Sequence, residues 1–343
     1  MVLLTASHER TGIAKHSLRR SHIATVTILG LASIILISWF FLHQANEKPV
    51  ESPRLELVDD ADISEETKEL SKLLLGGTIK RYDLKMDGIR AAITSFEALE
   101  MEGKPPLVVN WKSHVNQPIF RSDIYAKEEL QLFAALEKYL PKTATVLAFP
   151  ELSNRIQNIM DDVNVPLAGV TPIISTQMPD GWLDSAILPY AQPKVFENET
   201  SNEQWMNFRE ALVSEDIYGA AQMRALSANE DTYIILHLRD IFDLGAELGD
   251  RLLVAMKDFQ GDAHAHDLTR LIKDWQAVNN YASYAAVKIP DGRLRVYFLS
   301  DAKDKSTIIG QLLPFDGARV GLAPGTKLVF QAGGYWVYKL LPV

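Results

Sequence analysis

The 343-residue chain contains no cysteine. That excludes disulfides, thiolate zinc, iron–sulfur clusters and covalent haem attachment through C-x-x-C-H. It leaves the redox compartment open, because a chain without thiols is stable in an oxidising or a reducing one. Basic charge is also short: 35 Lys and Arg stand against 44 Asp and Glu, a net charge of −9, so the chain offers no field for nucleic acid. No G-x-S-x-G elbow, G-x-G-x-x-G fingerprint or H-E-x-x-H pair occurs. "GLAPGTK" (Gly321–Lys327) lacks the spacing of a phosphate loop and precedes a strand, so it reads as an ordinary loop. Asn198-Glu-Thr200 fits a glycosylation sequon too short to be specific. No internal repeat is present.

The chain does have one long hydrophobic run. "IATVTILGLASIILISWFFL", from Ile23 to Leu42, is 20 residues without a charge. At 1.5 Å per residue that length spans a hydrocarbon core of about 30 Å. It lacks the polar stripe of a core helix, and it is longer than a signal peptide's apolar region. Arg10, Lys15, Arg19 and Arg20 precede it against the single acid Glu9. That bias predicts a single-pass inner-membrane protein with a cytoplasmic N-terminus and its main domain in the periplasm. Trp39, Phe40 and Phe41 then form an aromatic belt at the far interface. Without the basic arm, 31 basic and 43 acidic residues remain, so the exported part carries about −12.

Five regions follow: a basic arm (1–22), the transmembrane helix (23–42), a charged linker (43–66), an α/β periplasmic region (67–240) and an α+β C-terminal region (241–343). Periodicity and turn signals carry the last two. "PLVVNW", "ATVLAF" and "TYIILHL" read as strands. "AKEELQLFAALEKYL", "ELSNRIQNIM", a long segment from about Asn202 to Ser227, and "RDIFDLGAEL" read as helices. Residues 163–200 read as a long ordered, proline-bearing loop. In the last third, "DLTRLIKDWQAVNNY" is a helix, Asp291-Gly292 turns between two strands, and "KSTIIGQLL" is a helix. Gly333-Gly334 turns between the final strands "KLVFQA" and "YWVYKL". The fold class is therefore α/β, with an α+β C-terminal portion, behind a single N-terminal transmembrane helix.

Three polar clusters are candidates for chemistry. "VVNWKSH" places Asn110, Trp111, Lys112 and His114 at and beyond a strand end, where α/β sheets commonly bind ligands. "ILHLRD" repeats the arrangement with His237, Arg239 and Asp240; Asp240 is a candidate helix N-cap and His237 a candidate core histidine. Two parallel strands ending this way make a shared cleft plausible. "GDAHAHD" places His264 and His266 two residues apart. Asp267 reads as an N-cap, which puts both histidines in the preceding turn and argues against chelation, so no metal is assigned.

Several segments together resemble the HaoB-type hydroxylamine oxidation proteins. They are "RVYFLSD" (Arg295–Asp301), "LLPF" (Leu312–Phe315, with Leu313 and Pro314) and "LVFQAGGYWVYKL" (Leu328–Leu340), which holds Gly333, Gly334, Tyr335, Trp336 and Tyr338. "PLVVNW" with His114, "HLRDIFDLGAE" with His237 and Asp240, and "KDF" (Lys257–Phe259) followed by His266 add to the resemblance. Where such proteins carry a Trp-Trp-Asp-like run after the "TVLAF" strand, this chain has "FPELSNR", which keeps an acid, Glu151, and loses the aromatic pair. The resemblance implies a membrane-anchored periplasmic accessory to hydroxylamine oxidation. Its implied partners are hydroxylamine oxidoreductase and that enzyme's cytochrome electron acceptors. With no covalent haem motif and no cluster ligands, no cofactor is assigned. The chain reads as an anchor, docking or assembly factor rather than a redox catalyst. The alternative is a periplasmic enzyme or small-ligand binder using a cleft of Asn110, Trp111, His114, Glu151, His237, Asp240 and His266.

Overall fold

The computed structural model describes residues 53–341, apart from 59–61, 75, 87–89, 104–105, 116–122, 170–198, 228–230, 262–263 and 316–322. The run read as transmembrane, Ile23–Leu42, lies outside these residues, as does most of the proline-bearing loop. Among the described residues no helix is long and apolar enough to cross a membrane.

The first described elements fall inside the stretch read as a linker. Arg54–Leu57 is a strand, β1, and helix α1 (Glu65–Leu73) opens at Ser64, whose Oγ accepts the Thr67 N–H at 3.1 Å. β1 pairs antiparallel with β2 (Thr78–Lys85), which carries the chain through β3 (Thr94–Glu100) to β4 (Leu107–Ser113) in a four-stranded meander. Its core is an aromatic stack: Phe96 lies 5.4 Å from Tyr82 and 4.9 Å from Trp111, ring centre to ring centre.

The second sheet has the order β10-β11-β6-β5. β5 (Thr145–Ala148) and β6 (Thr232–His237) run parallel; β11 (Tyr335–Leu340) and β10 (Thr326–Ala332) join antiparallel. Every residue of β5 and β6 is buried, as expected for strands covered on both faces. Tyr233, Ile235, Val146 and Val337 face a core shared with α2 (Ala126–Tyr139) and α3 (Pro150–Ile159). Ile234, Leu236, Leu147 and Leu340 face the opposite core, which holds α4 (Glu199–Val213), α5 (Asp216–Ala225), α6 (Asp240–Leu248) and α8 (Ile308–Leu312). Each such aliphatic side chain contributes roughly 1.5–3 kcal/mol on burial.

The third sheet, β7-β9-β8, is antiparallel: β7 (Val254–Phe259), β9 (Leu294–Leu299) and β8 (Ser283–Lys288). Helix α7 (Ala265–Val278) covers one face through Ile272, and Val254, Met256 and Tyr297 face the second core.

The sequence predicts one helix over about 202–227, and two are present. The break falls at Ser214–Glu215, where the Ser214 carbonyl accepts the Ile308 N–H and Glu215 bridges Thr307, so α8 inserts its backbone. The structure also separates the two strands read as sharing a cleft. β4 belongs to the antiparallel meander, and the parallel neighbour of β6 is β5.

Candidate functional site at the carboxyl end of β6

His237 closes β6 and is 3% exposed. Its Nδ1 accepts the Arg239 backbone N–H at 3.0 Å, so the ring proton sits on Nε2 and is donated to Glu128 Oε2 at 2.9 Å. Burial, with Arg239 beside it, lowers the imidazole to about 4, so the ring is neutral. Burial works against the Glu128 charge too, but the His237 hydrogen bond and the nearby Arg239 outweigh it and hold that carboxyl below its ordinary value. The Gly333–Gly334 turn closes over this pair. Gly333 has a φ of 55°, and a Cβ there would meet the Glu128 carboxyl group. A Cβ on Gly334 would overlap the His237 ring. The double glycine that reads as a hairpin signal is thus also a steric requirement of a buried His–Glu contact.

Asp240 is the first residue of α6 rather than its cap. Its carboxylate turns back to accept the His237 N–H at 2.7 Å, tying the strand end to the helix start. Burial raises Asp240 to about 8 against the pull of Arg239. Arg239 Nη2 donates to the Tyr335 hydroxyl at 2.8 Å, and that hydroxyl donates to Glu129 at 3.2 Å. Glu129 is wholly buried and takes Arg155, 1% exposed, at 3.1 Å. Burial pushes the Glu129 carboxyl up, opposed by Arg155 and Arg239.

From here the network crosses to the other two sheets through Asp123. Its carbonyl accepts from Arg239 Nη1 at 3.2 Å, and its carboxylate accepts the Ser113 N–H of β4 and the Tyr125 hydroxyl, both at 2.7 Å. It also pairs with Arg295 of β9 at 2.8 Å. Arg295 in turn forks onto Asp258 of β7 at 2.8 and 2.9 Å, its cross-strand partner in register. Asp123 therefore joins all three sheets.

Glu151 and Asp240 both line a small cavity with Arg239, Asp243, Tyr335 and Phe149. Its volume is about 20 Å³, room for roughly one water. Phe149 fills the space beside it with Trp205 and Phe208 at 5.2 and 6.4 Å. The group positions a single small polar species at most.

The remaining residues lie elsewhere. Asn110 donates to Glu97 at 3.2 Å and lines an open groove of about 260 Å³ with Lys112, Lys127, Glu66 and Asp291. This groove shares no lining residue with the small cavity. Trp111 is buried in the aromatic stack. His114 is exposed; Ser95 donates to Asp83, so it accepts the His114 Nε2–H at 2.9 Å. Partial desolvation of the ring, with Lys112 nearby, lowers that imidazole. α7 begins at Ala265, because the His264 carbonyl accepts the Leu268 N–H. His264 is therefore the cap, and His266, exposed, sits with Asp267 in the first turn. This corrects the placement of both histidines ahead of an Asp267 cap. Among the described residues no group of three His, Asp or Glu side chains is arranged to hold a metal ion.

The sequence reading passed over Glu129, Arg155, Asp123 and Asp258. For two of them a signal was present. Glu129 lies four, seven and eleven residues before Phe133, Leu136 and Leu140, on the apolar stripe of its helix. Arg155 lies between Leu152 and Ile159 in the same way. A charge on a buried stripe demands a partner.

The segments behind the family resemblance meet in space. "KDF" and "RVYFLSD" are the paired strands β7 and β9, and the Tyr338 hydroxyl of the last strand donates to Leu312 of "LLPF" at 2.6 Å. No curated protein and no solved structure matches the chain. A family model described as HaoA-associated protein HaoB matches residues 19–340. With nearly its whole length matched, this chain belongs to the HaoB family of HaoA-associated proteins.

Proposed function

We propose that this chain is a non-catalytic accessory partner of HaoA, the hydroxylamine oxidoreductase, and docks it or assists its assembly. In this reading Ile23–Leu42 anchors the chain in the inner membrane and the folded part faces the periplasm. The observation that carries the proposal is the family match over residues 19–340 to proteins described by their association with HaoA. The chemistry of the chain supports it. The polar groups that converge best bond one another around a cavity of about 20 Å³, and the chain has no cysteine to hold haem covalently or a cluster. The exported part carries about −12, a charge that favours encounter with a basic surface on a haem partner.

The alternative, an enzyme or small-ligand binder, draws on a cleft of Asn110, Trp111, His114, Glu151, His237, Asp240 and His266, of which Glu151 and Asp240 line the small cavity and Asn110 the open groove. Asn110 lies on β4, with His114 just past its end; His237 and Asp240 lie at the end of β6 in another sheet. To test the proposal, the full chain is affinity-isolated from detergent-solubilised membranes of its native host. Recovery of hydroxylamine oxidoreductase and its cytochrome acceptors is the expected result. If neither is recovered, and the haem enzyme matures normally when the gene for this chain is deleted, the proposal fails.

A further inference from the structure

Among the described residues β7 is an edge strand, with β9 as its one partner in the sheet. The Leu253 carbonyl accepts the Ser300 N–H, which fixes the phase of this antiparallel ladder. Residues 255, 257 and 259 then bond β9, and the backbone N–H and C=O of Val254, Met256 and Asp258 point outward. Among the described residues no backbone group bonds this outer edge. Edges of this kind are commonly blunted by proline, several lysines or a bulge. β7 reads "VAMKDF", with no proline and a single lysine, and pairs β9 without a register shift.

An apolar stripe runs beside the open edge. α7 returns antiparallel along β7, with Trp275 against Lys257 at 3.1 Å, so its flank overhangs the β7 side. On that flank Leu271, Trp275 and Val278, at i, i+4 and i+7, are 50%, 36% and 78% exposed. Leu253, 54% exposed, continues the stripe at the start of the strand, where the C-terminal end of α7 arrives. A backbone edge left unpaired among the described residues, with an apolar flank, suits an extended strand carrying apolar neighbours.

We propose that β7 pairs antiparallel with β7 of a second copy of this chain, making one six-stranded sheet in which the two α7 flanks pack together across a two-fold axis. The outward-pointing residues allow a register centred on Met256, which places Val254 opposite Asp258 and Ala255 opposite Lys257. In that register no like charges face one another across the new pair. The surface is self-complementary, as a two-fold interface requires, and the pairing consumes both β7 edges, so growth along them stops at the dimer.

The test uses the full chain in detergent. Sedimentation over a range of concentrations is expected to give a dimer. The double variant Leu271→Glu/Val278→Glu, with unchanged circular dichroism, is expected to weaken self-association on the order of 100-fold, because it puts charge into an apolar interface. Tyr218→Glu, on exposed α5 surface, leaves the dimer intact. Because the chain has no cysteine, a spin label on Val278→Cys reads a single inter-subunit distance. A monomer at every concentration overturns the proposal. So does a dimer indifferent to the double variant, which locates self-association elsewhere, for example in Ile23–Leu42. A monomeric chain whose capture of hydroxylamine oxidoreductase is lost in the double variant also overturns it and assigns the edge to that partner.

Discussion

β4 and β6 both run from apolar residues into polar ones, "VVNWK" in one and "IILHLR" in the other, and their ends meet opposite fates. The β6 end is roofed by the Gly333–Gly334 turn and packed under α2, so His237, Arg239 and Asp240 bond to Glu128, Tyr335, Asp123 and the strand backbone. The β4 end leaves Lys112 and His114 on the surface beside an open groove. A strand-end pattern shared by two sites therefore marks a structural junction at one and a solvated face at the other. What separates them is the element laid across the end, and that element comes from a distant part of the chain.

The comparison can be broken most severely at Asp123, which joins the two ends. Asp123→Ala leaves buried Arg295 without its inner carboxylate and strips acceptors from Ser113 and Tyr125. A loss of about 3–5 kcal/mol is expected, as for a buried ion pair with one partner removed, measured by urea unfolding.

A subtler break uses pH. Folded Asp240 titrates at about 8, against the ordinary carboxylate value of 3.8, so the native state holds an extra proton between those values. Its stabilising effect is full below the ordinary range and is lost as pH rises through about 8. His237 acts in the other sense. Folded at about 4 against an ordinary 6.5, it contributes stability above the ordinary value that is lost as pH falls toward 4. Asp240→Asn keeps an oxygen for the His237 N–H and removes the carboxyl titration alone. Relative to wild type the variant should gain stability from about pH 5 to about pH 8, by at most about 1.4 kcal/mol per pH unit. Parallel curves for the two proteins, from unfolding at both pH values, would contradict the buried acid.

At the β4 end, Lys112→Ala should stay within about 0.5 kcal/mol of wild type, because nothing buried depends on it. A loss of several kcal/mol in the same unfolding assay would mean that the groove is a structural junction after all.

The legible parts of the fold were those where local pattern and tertiary environment agree. β6 is a continuous apolar run because the second sheet is covered on both faces, and α2 shows its stripe because one face packs inward. Asp291-Gly292 and Gly333-Gly334 declared their turns, each with a glycine at positive φ. β2, "TIKRYDLK", did not read as a strand: four charges in eight residues hide a half-buried strand whose charges pair outward, as Lys80 does with Glu100. The network was illegible for a different reason. Asp123 and Arg295 are 172 positions apart, and neither residue's neighbours announce the other. Glu129 and Arg155 could have been found as charges on apolar stripes, but their pairing belongs to the packing of α2 against α3.

The proposed role of the chain is to bind hydroxylamine oxidoreductase. Co-sedimentation of the purified full chain with purified hydroxylamine oxidoreductase tests it most directly. The expected result is one fast boundary containing both proteins, unchanged in Lys112→Ala and weakened as salt is raised. Two independent boundaries at every concentration and salt would contradict it.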